Sequence, residues 1–458
     1  MNFVSAFGQK MSDWSERNMP NPFLFAIILS IIVWVAGVLF TPNTPLDMVN
    51  HWYAGFWKNL AFGMQMVLIL VTGHALAIAP GVRPALQRLA STPTTMAGAV
   101  LLTSYVSCAV HYVHWGLGLV VSALFAREVA TQAFRRGIPM HYPLLAAAAF
   151  SGHMFWHVGP STSAGLLSAT PGHMFEKIIG VVPMSESVFT TYGFGLVVGL
   201  GLLFIPWTMR ALTPKDTAVY KGIDVYVPDF EEADAAERRA EEKEASTPMN
   251  GMADRLEQSR AISLIIAAAG FTYIITDIYA KGFRLDINLF NFIFMIVGIL
   301  LHKTPIRYVR AIQSAIGGTS GIVLQFPFYA GIMGMVAGSG LTALITNGFL
   351  AISTPESFPV WTWLSAGFIN IFIPSGGGEW AAMGGILSEA CMAMGVPPGK
   401  MIVAFGCGDM WTNMLQPFWA IALLGIMGLK AREMMGYCIV LGTLAIPVFG
   451  LLLYFLPY

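Results

Sequence analysis

The sequence predicts an all-α polytopic membrane protein built from two inverted-topology repeats with two re-entrant hairpins and broken helices, about 11 membrane crossings in all. Three observations lead there. Apolar residues make up 56% of the 458 and charged residues only 11%, and mean hydropathy is +0.65, far from a soluble domain. Polar, glycine-rich interruptions recur in both halves: His111 to Gly116, Gly137-Ile138-Pro139 and Gly152 to His157 in the first, Ser375 to Trp380, Gly395-Val396-Pro397 and Gly408 to Asn413 in the second. The basic residues, finally, gather on one side of the implied topology.

Taken in order, apolar segments of roughly spanning length lie near 23–40, 59–79, 143–169, 187–207, 260–279, 287–301, 311–336, 401–429 and 434–457. The polar stretch holding Lys10, Asp13, Glu16 and Arg17 is followed by no small-residue cleavage site, so the first segment reads as an uncleaved helix. Residues 95–126 and 359–394 each hold two apolar arms around a polar tip, too interrupted for one helix and too short for two full crossings. They read as re-entrant hairpins, which need protein or a water-filled cavity around their non-helical backbone. The first repeat then covers 1–207, with its hairpin at 95–126 and broken helix at 143–169. A charged cytoplasmic linker covers 208–259, and 260–286 is a connecting helix whose odd crossing permits the inversion. The second repeat covers 287–458, with its hairpin at 359–394 and broken helix at 401–429.

Charge supports this arrangement, because cytoplasmic loops carry the excess of Lys and Arg. With the N-terminus in the cytoplasm, the outer segments hold only Lys58, Lys177, Lys281, Arg284 and Lys400 of the 25 basic residues. The C-terminus is then periplasmic, in a bacterial inner membrane. Mixed runs such as Glu237-Arg238-Arg239 and Glu241-Glu242-Lys243-Glu244 read as a solvated, largely helical linker face. The formal net charge of zero suggests no nucleic-acid partner. Cys108, Cys391, Cys407 and Cys438 have neither metal-ligand nor disulfide spacing and read as packing residues.

The paired interruptions are where a substrate would sit. No Lys or Arg falls in an expected membrane core, so an anion would be met by helix N-termini, hydroxyls, amides, histidine or a co-transported cation. Ser161, Thr162 and Ser163 stand beside the helix-breaking Pro160, and Thr412 and Asn413 precede Gln416-Pro417 in the second half. The tips offer His114 and Trp115 on one side and Ser375, Gly376, Gly377, Gly378, Glu379 and Trp380 on the other, with His157 in the first broken span. Glycine lets the backbone approach a small ligand closely. Ser107, Ser161, Ser163, Ser375, Glu379, Asp409, Thr412, Asn413 and Gln416 are the oxygen-bearing candidates for a coupling ion, with Na+ the ion that hard ligands suit. Small hydroxyl residues also serve plain helix packing; their place beside Pro or Gly runs in repeat-related positions favours binding.

His111/His114 and His153/His157 have helical i,i+3 and i,i+4 spacing. A membrane di-iron oxygenase would need more histidines on the cytoplasmic side, so interhelical hydrogen bonding fits better than a metalloenzyme. No cofactor or metal beyond Na+ is expected, and no enzymatic activity.

One family resemblance emerges from the run His141 to Leu145, Phe150-Ser151-Gly152, Trp156-His157, Ser161 and Ser163, with Pro374 to Gly378, Gly408-Asp409, Thr412-Asn413, Gln416 to Trp419 and Gly436-Tyr437. Together they resemble the short-chain fatty acid transporter family over essentially the whole chain. That resemblance implies uptake of small monocarboxylates such as butyrate or acetoacetate, sodium coupling, a homodimer, and elevator motion of a hairpin-containing bundle against a scaffold. The chain departs from the family pattern at His114 (Asn expected), Glu379 (Gln expected), Pro160 (Leu expected) and Thr162 (Gly expected). Two amides thus give way to titratable groups, which raises proton coupling through Glu379 and His114 as an alternative.

Overall fold

In lipid every backbone N–H and C=O must be paired within the protein, so apolar runs become helices, and no strand occurs among the described residues. The computed structural model describes residues 3–58, 60–80, 83–232, 235, 239, 251–281 and 287–458. Eight helices among them are long and apolar enough to cross a membrane by length and composition. The first, Pro22–Phe40, starts where the Asn21 side chain accepts the Phe23 N–H at 2.9 Å, with proline at its first position. Of the linker, helical turns are described at Thr217–Val219, Ile223–Tyr226 and Met252–Glu257. Its charged run from Glu237 lies, apart from Arg239, outside the described residues, as does Arg284.

The first hairpin's arms are longer than the sequence reading expects. Met96–Val113 and Trp115–Arg135 have 18 and 21 residues, which at 1.5 Å per residue gives roughly 27 to 32 Å, about the thickness of the hydrocarbon core. Neither arm is therefore too short to cross. The second arm runs on past 126 because its charges find partners. The Arg127 guanidinium donates to the Ile426 carbonyl at 2.9 Å, and Glu128 accepts from the Gln132 amide at 2.7 Å. The second hairpin, Phe358–Asn370 and Gly376–Ala393, has a shorter leading arm of 13 residues.

Both long interrupted segments are broken. Tyr142–Ser151 gives way to 3-10 turns at Gly152–Met154 and Trp156–Val158 before helix resumes at Ser163–Ser168. The break begins at Gly152, ahead of Pro160, because the backbone there touches Ser107: a Cβ on Gly152 would lie 2.5 Å from that residue. In the second half Pro398–Thr412 stops before Pro417 and Ala420–Met427 follows. The expected span 311–336 divides too, into Pro305–Ala315, a 3-10 turn at Ile316–Thr319, and Ser320–Ser339.

The halves interlock reciprocally. Ala420–Met427 of the second broken helix packs on the first hairpin's arm Trp115–Arg135, while Ser163–Ser168 of the first packs on the second hairpin's arm Gly376–Ala393. Outside this core, Ser320–Ser339 lies along Pro22–Phe40 and Pro45–Lys58. An amphipathic N-terminal helix, Phe3–Asn18, packs on the last helix, Ala431–Phe455.

Candidate functional site

At the first tip, His114 has extended backbone and its Nδ1 accepts the N–H groups of Gly116 at 3.1 Å and Leu117 at 3.4 Å. It is the N-cap of the second arm, so its neutral ring carries its proton on Nε2. Phe290 of the second half stacks flat on it, 4.1 Å between centroids. The Trp115 N–H donates to Ser161 Oγ at 3.3 Å, joining this tip to the first broken helix.

At the second tip, Ser375 Oγ accepts from the Gly378 N–H at 3.3 Å. The tip presses on the first broken helix: a Cβ on Gly376 would lie 2.8 Å from His157 Nε2 and 3.1 Å from Ser163 Oγ. At such an approach only glycine fits. Gly377, by contrast, has only Leu167 nearby, at 4.0 Å. Glu379 sits in the first turn, fully buried, its carboxyl group beside that of Asp409, and apart from this neighbour neither of its oxygens has a hydrogen-bond partner.

Between the tips lies a buried network. His157 Nε2 stands 3.1 Å from Asp409 Oδ1, and His157 Nδ1 stands 2.9 Å from Thr162 Oγ1. A carboxylate only accepts, so Nε2–H is the donor toward Asp409. The Asn370 amide nitrogen shares its two hydrogens among the Asp409 carbonyl at 2.7 Å, Thr412 Oγ1 at 2.9 Å and Asn413 Oδ1 at 2.8 Å. The Gln416 amide donates to the same Asn413 oxygen at 3.3 Å, and its Oε1 accepts the Phe418 N–H at 2.8 Å. This staples the chain across the second break. Asp409 Oδ2 and Asn370 Oδ1 join the two Glu379 oxygens in lacking a partner, a set of hard oxygens suited to a small cation such as Na+.

Thus His157, Thr162, Ser163, Gly376, Glu379, Asp409, Thr412, Asn413 and Gln416 come together, with His114, Trp115 and Ser161 at the adjoining first tip. Three candidates do other work. Ser107 Oγ donates to the Ala149 carbonyl at 2.5 Å and accepts the Gly152 N–H at 3.1 Å, which holds the start of the first break. Trp380 is fully buried against Phe405 and Phe175, 5.0 and 5.6 Å away. Gly378 faces the Met333 methyl, 3.0 Å from where a Cβ would be. Asn370 was not legible as a site residue: it is a single amide closing an apolar arm, and only its three bonds reveal its role. No group of three or more His, Cys, Asp or Glu stands ready to hold a metal ion among the described residues.

The family model for short chain fatty acid transporters matches residues 3–456. This chain belongs to that family. It is a membrane transporter and not an enzyme. A relative from Escherichia coli (strain K12) is 42% identical over 436 residues, 95% of this chain and 96% of its own. One from Haemophilus influenzae (strain ATCC 51907 / DSM 11121 / KW20 / Rd) is 38% identical over 460 residues, 99% of this chain and all of its own. Both are named as candidate short-chain fatty acid transporters. The solved structure of MtrF from Neisseria gonorrhoeae, titled for antimetabolite efflux pumps, covers 98% of each chain at 17% identity with a TM-score of 0.43. So loose an overlap carries nothing across.

Proposed function

We propose that this transporter imports short-chain monocarboxylates such as butyrate or acetoacetate by cation symport, with Na+ as the coupling ion. The reading is carried by the meeting of the second tip with the His157–Asp409–Asn370 network. That site holds two neighbouring buried carboxylates, and no Lys or Arg is buried among the described residues. A carboxylate substrate would bring its negative charge beside these acids with no buried base to meet it, and a co-bound cation offsets that charge. The unpartnered oxygens of Glu379, Asp409 and Asn370 supply ligands for it.

The interlocked hairpins and broken helices form the bundle that would move, elevator fashion, against a scaffold containing Ser320–Ser339, Pro22–Phe40 and Pro45–Lys58, with both tips reaching the midplane from opposite sides as re-entrant hairpins. The basic-residue bias supports insertion in the bacterial inner membrane with the N-terminus cytoplasmic and the C-terminus periplasmic. A homodimer is the expected assembly.

A second reading is proton coupling, favoured by the two partner-free oxygens of Glu379. His114, already committed as a helix cap, is a poorer proton partner than His157, which adjoins Asp409.

The test is uptake of labelled butyrate into proteoliposomes under an inward Na+ gradient or an inside-alkaline pH gradient, each with its ionophore control and protein-free liposomes as baseline. Accumulation driven by Na+ alone supports the first reading, and by protons alone the second. Protein-dependent uptake under neither gradient removes butyrate as substrate. One Na+ per monocarboxylate is electroneutral; each further cation adds about 2.3 kcal/mol per 100 mV, roughly 50-fold accumulation.

A further inference from the structure

His153 is fully buried and neither of its ring nitrogens has a hydrogen-bond partner. In this it stands apart: His51, His141, His157, His173 and His302 each hold a bonded ring nitrogen. A neutral imidazole carries one N–H donor and one bare acceptor, and burying both unpaired is unfavourable. A site evolved only for packing would use an apolar ring instead.

What surrounds it is mostly aromatic. Phe150 and Trp156 stack roughly parallel to the His153 ring, with centroids 5.4 and 6.2 Å away, and Trp419 leans in at 5.3 Å. His111 meets it edge-on at 5.3 Å. The His111 Nδ1–H donates to the Ser107 carbonyl at 2.9 Å, which leaves Nε2 as a bare acceptor, also unpartnered. The Trp156 indole N–H is buried without a partner as well. The cluster therefore combines two spare N–H donors, from His153 and Trp156, and two bare ring-nitrogen acceptors, from His153 and His111, with apolar ring faces and no formal charge.

That combination suits the carboxyl group of a short-chain acid. Two N–H donors can serve its two oxygens, and flat aromatic walls suit a few methylenes. The cluster also adjoins the site described above, since the Trp156 ring centroid is 3.5 Å from that of His157. Trp419 comes from the second half, just before Ala420–Met427. Both halves thus build it.

We infer that His153 and the Trp156 indole N–H form the carboxylate-recognising subsite of the transport site, with Phe150 and Trp419 as the walls that set acyl length. The inference rests on the monocarboxylate reading and adds residues outside the His157–Asp409–Asn370 network.

The experiment is concentration-dependent uptake of labelled acetate, butyrate, hexanoate and octanoate by the full-length protein in proteoliposomes, for wild type, His153→Phe, His153→Asn, Trp156→Phe and Trp419→Leu. His153→Phe keeps the stacked ring and removes the donor, so KM for butyrate should rise roughly tenfold or more with a smaller change in kcat. His153→Asn restores an N–H and should recover much of the loss. Trp156→Phe should raise KM about threefold or more, and Trp419→Leu should shift preference toward hexanoate and octanoate about tenfold. Wild-type KM in a His153→Phe protein that melts like wild type overturns the inference. Should that variant aggregate, an unchanged KM in both Trp156→Phe and His153→Asn overturns it instead. An unchanged chain-length profile in Trp419→Leu overturns the wall assignment. Saturable wild-type uptake of none of the four acids overturns the monocarboxylate reading itself, and this inference with it; the wild-type arm tells the two failures apart.

Discussion

His157 and Asp409, one from each half of the chain, face each other across 3.1 Å with both side chains fully out of solvent. The pair joins the two broken helices at the point where the second tip docks. Removing one partner of such a pair strands the other in a low-dielectric site, at about 3 to 5 kcal/mol. His157→Ala should therefore lower the melting temperature in detergent sharply. Asp409→Asn removes the charge but keeps the shape; it should melt closer to wild type and still lose uptake at least roughly tenfold. Thermal unfolding and proteoliposome uptake on the same preparations check both outcomes.

Gly376 is the tightest point of the docked tip. Its added methyl would sit 2.8 Å from His157 Nε2, whereas a methyl on Gly377 meets only Leu167 at 4.0 Å. Gly376→Ala should cut uptake by about tenfold or more in a folded protein, and Gly377→Ala should stay within roughly twofold of wild type. Initial-rate measurements on the two variants side by side make the comparison.

Glu379 contributes two oxygens that have no partner apart from the adjoining Asp409 carboxyl. With Na+ as the coupling ion, Glu379→Gln should raise the Na+ concentration for half-maximal uptake by about tenfold while transport remains Na+-driven. A Na+ titration of butyrate uptake measures this. Unchanged Na+ dependence together with loss of pH-gradient-driven uptake would favour the proton reading.

His141, at the start of Tyr142–Ser151, gives a pH prediction. Burial, helped by the nearby Lys221 charge, pushes its imidazole down to about 4. Its Nδ1 accepts the Lys221 N–H at 3.2 Å, so Nε2–H faces the Tyr437 hydroxyl at 2.9 Å. The unfolded chain binds a proton below about 6.5, while the folded protein resists it until about 4. Stability is therefore full above pH about 6.5 and falls as the pH drops toward 4, by on the order of 3 kcal/mol at most. Melting temperatures from pH 7.5 down to 5 should decline, and His141→Gln should flatten the decline.

Particular residues explain why some of the site was readable in the sequence. Ser375 with its glycine run, Pro160 and Pro417 stand at the second tip and inside the two breaks, and such residues inside apolar sequence, disfavoured in helix interiors by their covalent chemistry, are visible without coordinates. The end of the first hairpin was not, because Arg127 and Glu128 look like a helix end until Ile426 and Gln132 supply their partners. Asn370 was not singled out, and His153 was read only as half of a helically spaced pair, because the meaning of each lies in what it touches.

The amino-acid sequence by itself determined the helical membrane class, the two interrupted segments in matching order, and membership of the short-chain fatty acid transporter family, since these follow from hydropathy, helix-breaking residues and local motifs. Only the tertiary structure decided that Gly376 docks on His157, that His157 pairs with Asp409, and that His114 serves as a cap stacked on Phe290. Each of those pairs joins residues far apart in the sequence. Their energies come from excluded volume and from hydrogen bonds in a low-dielectric interior, which exist only once the halves interlock.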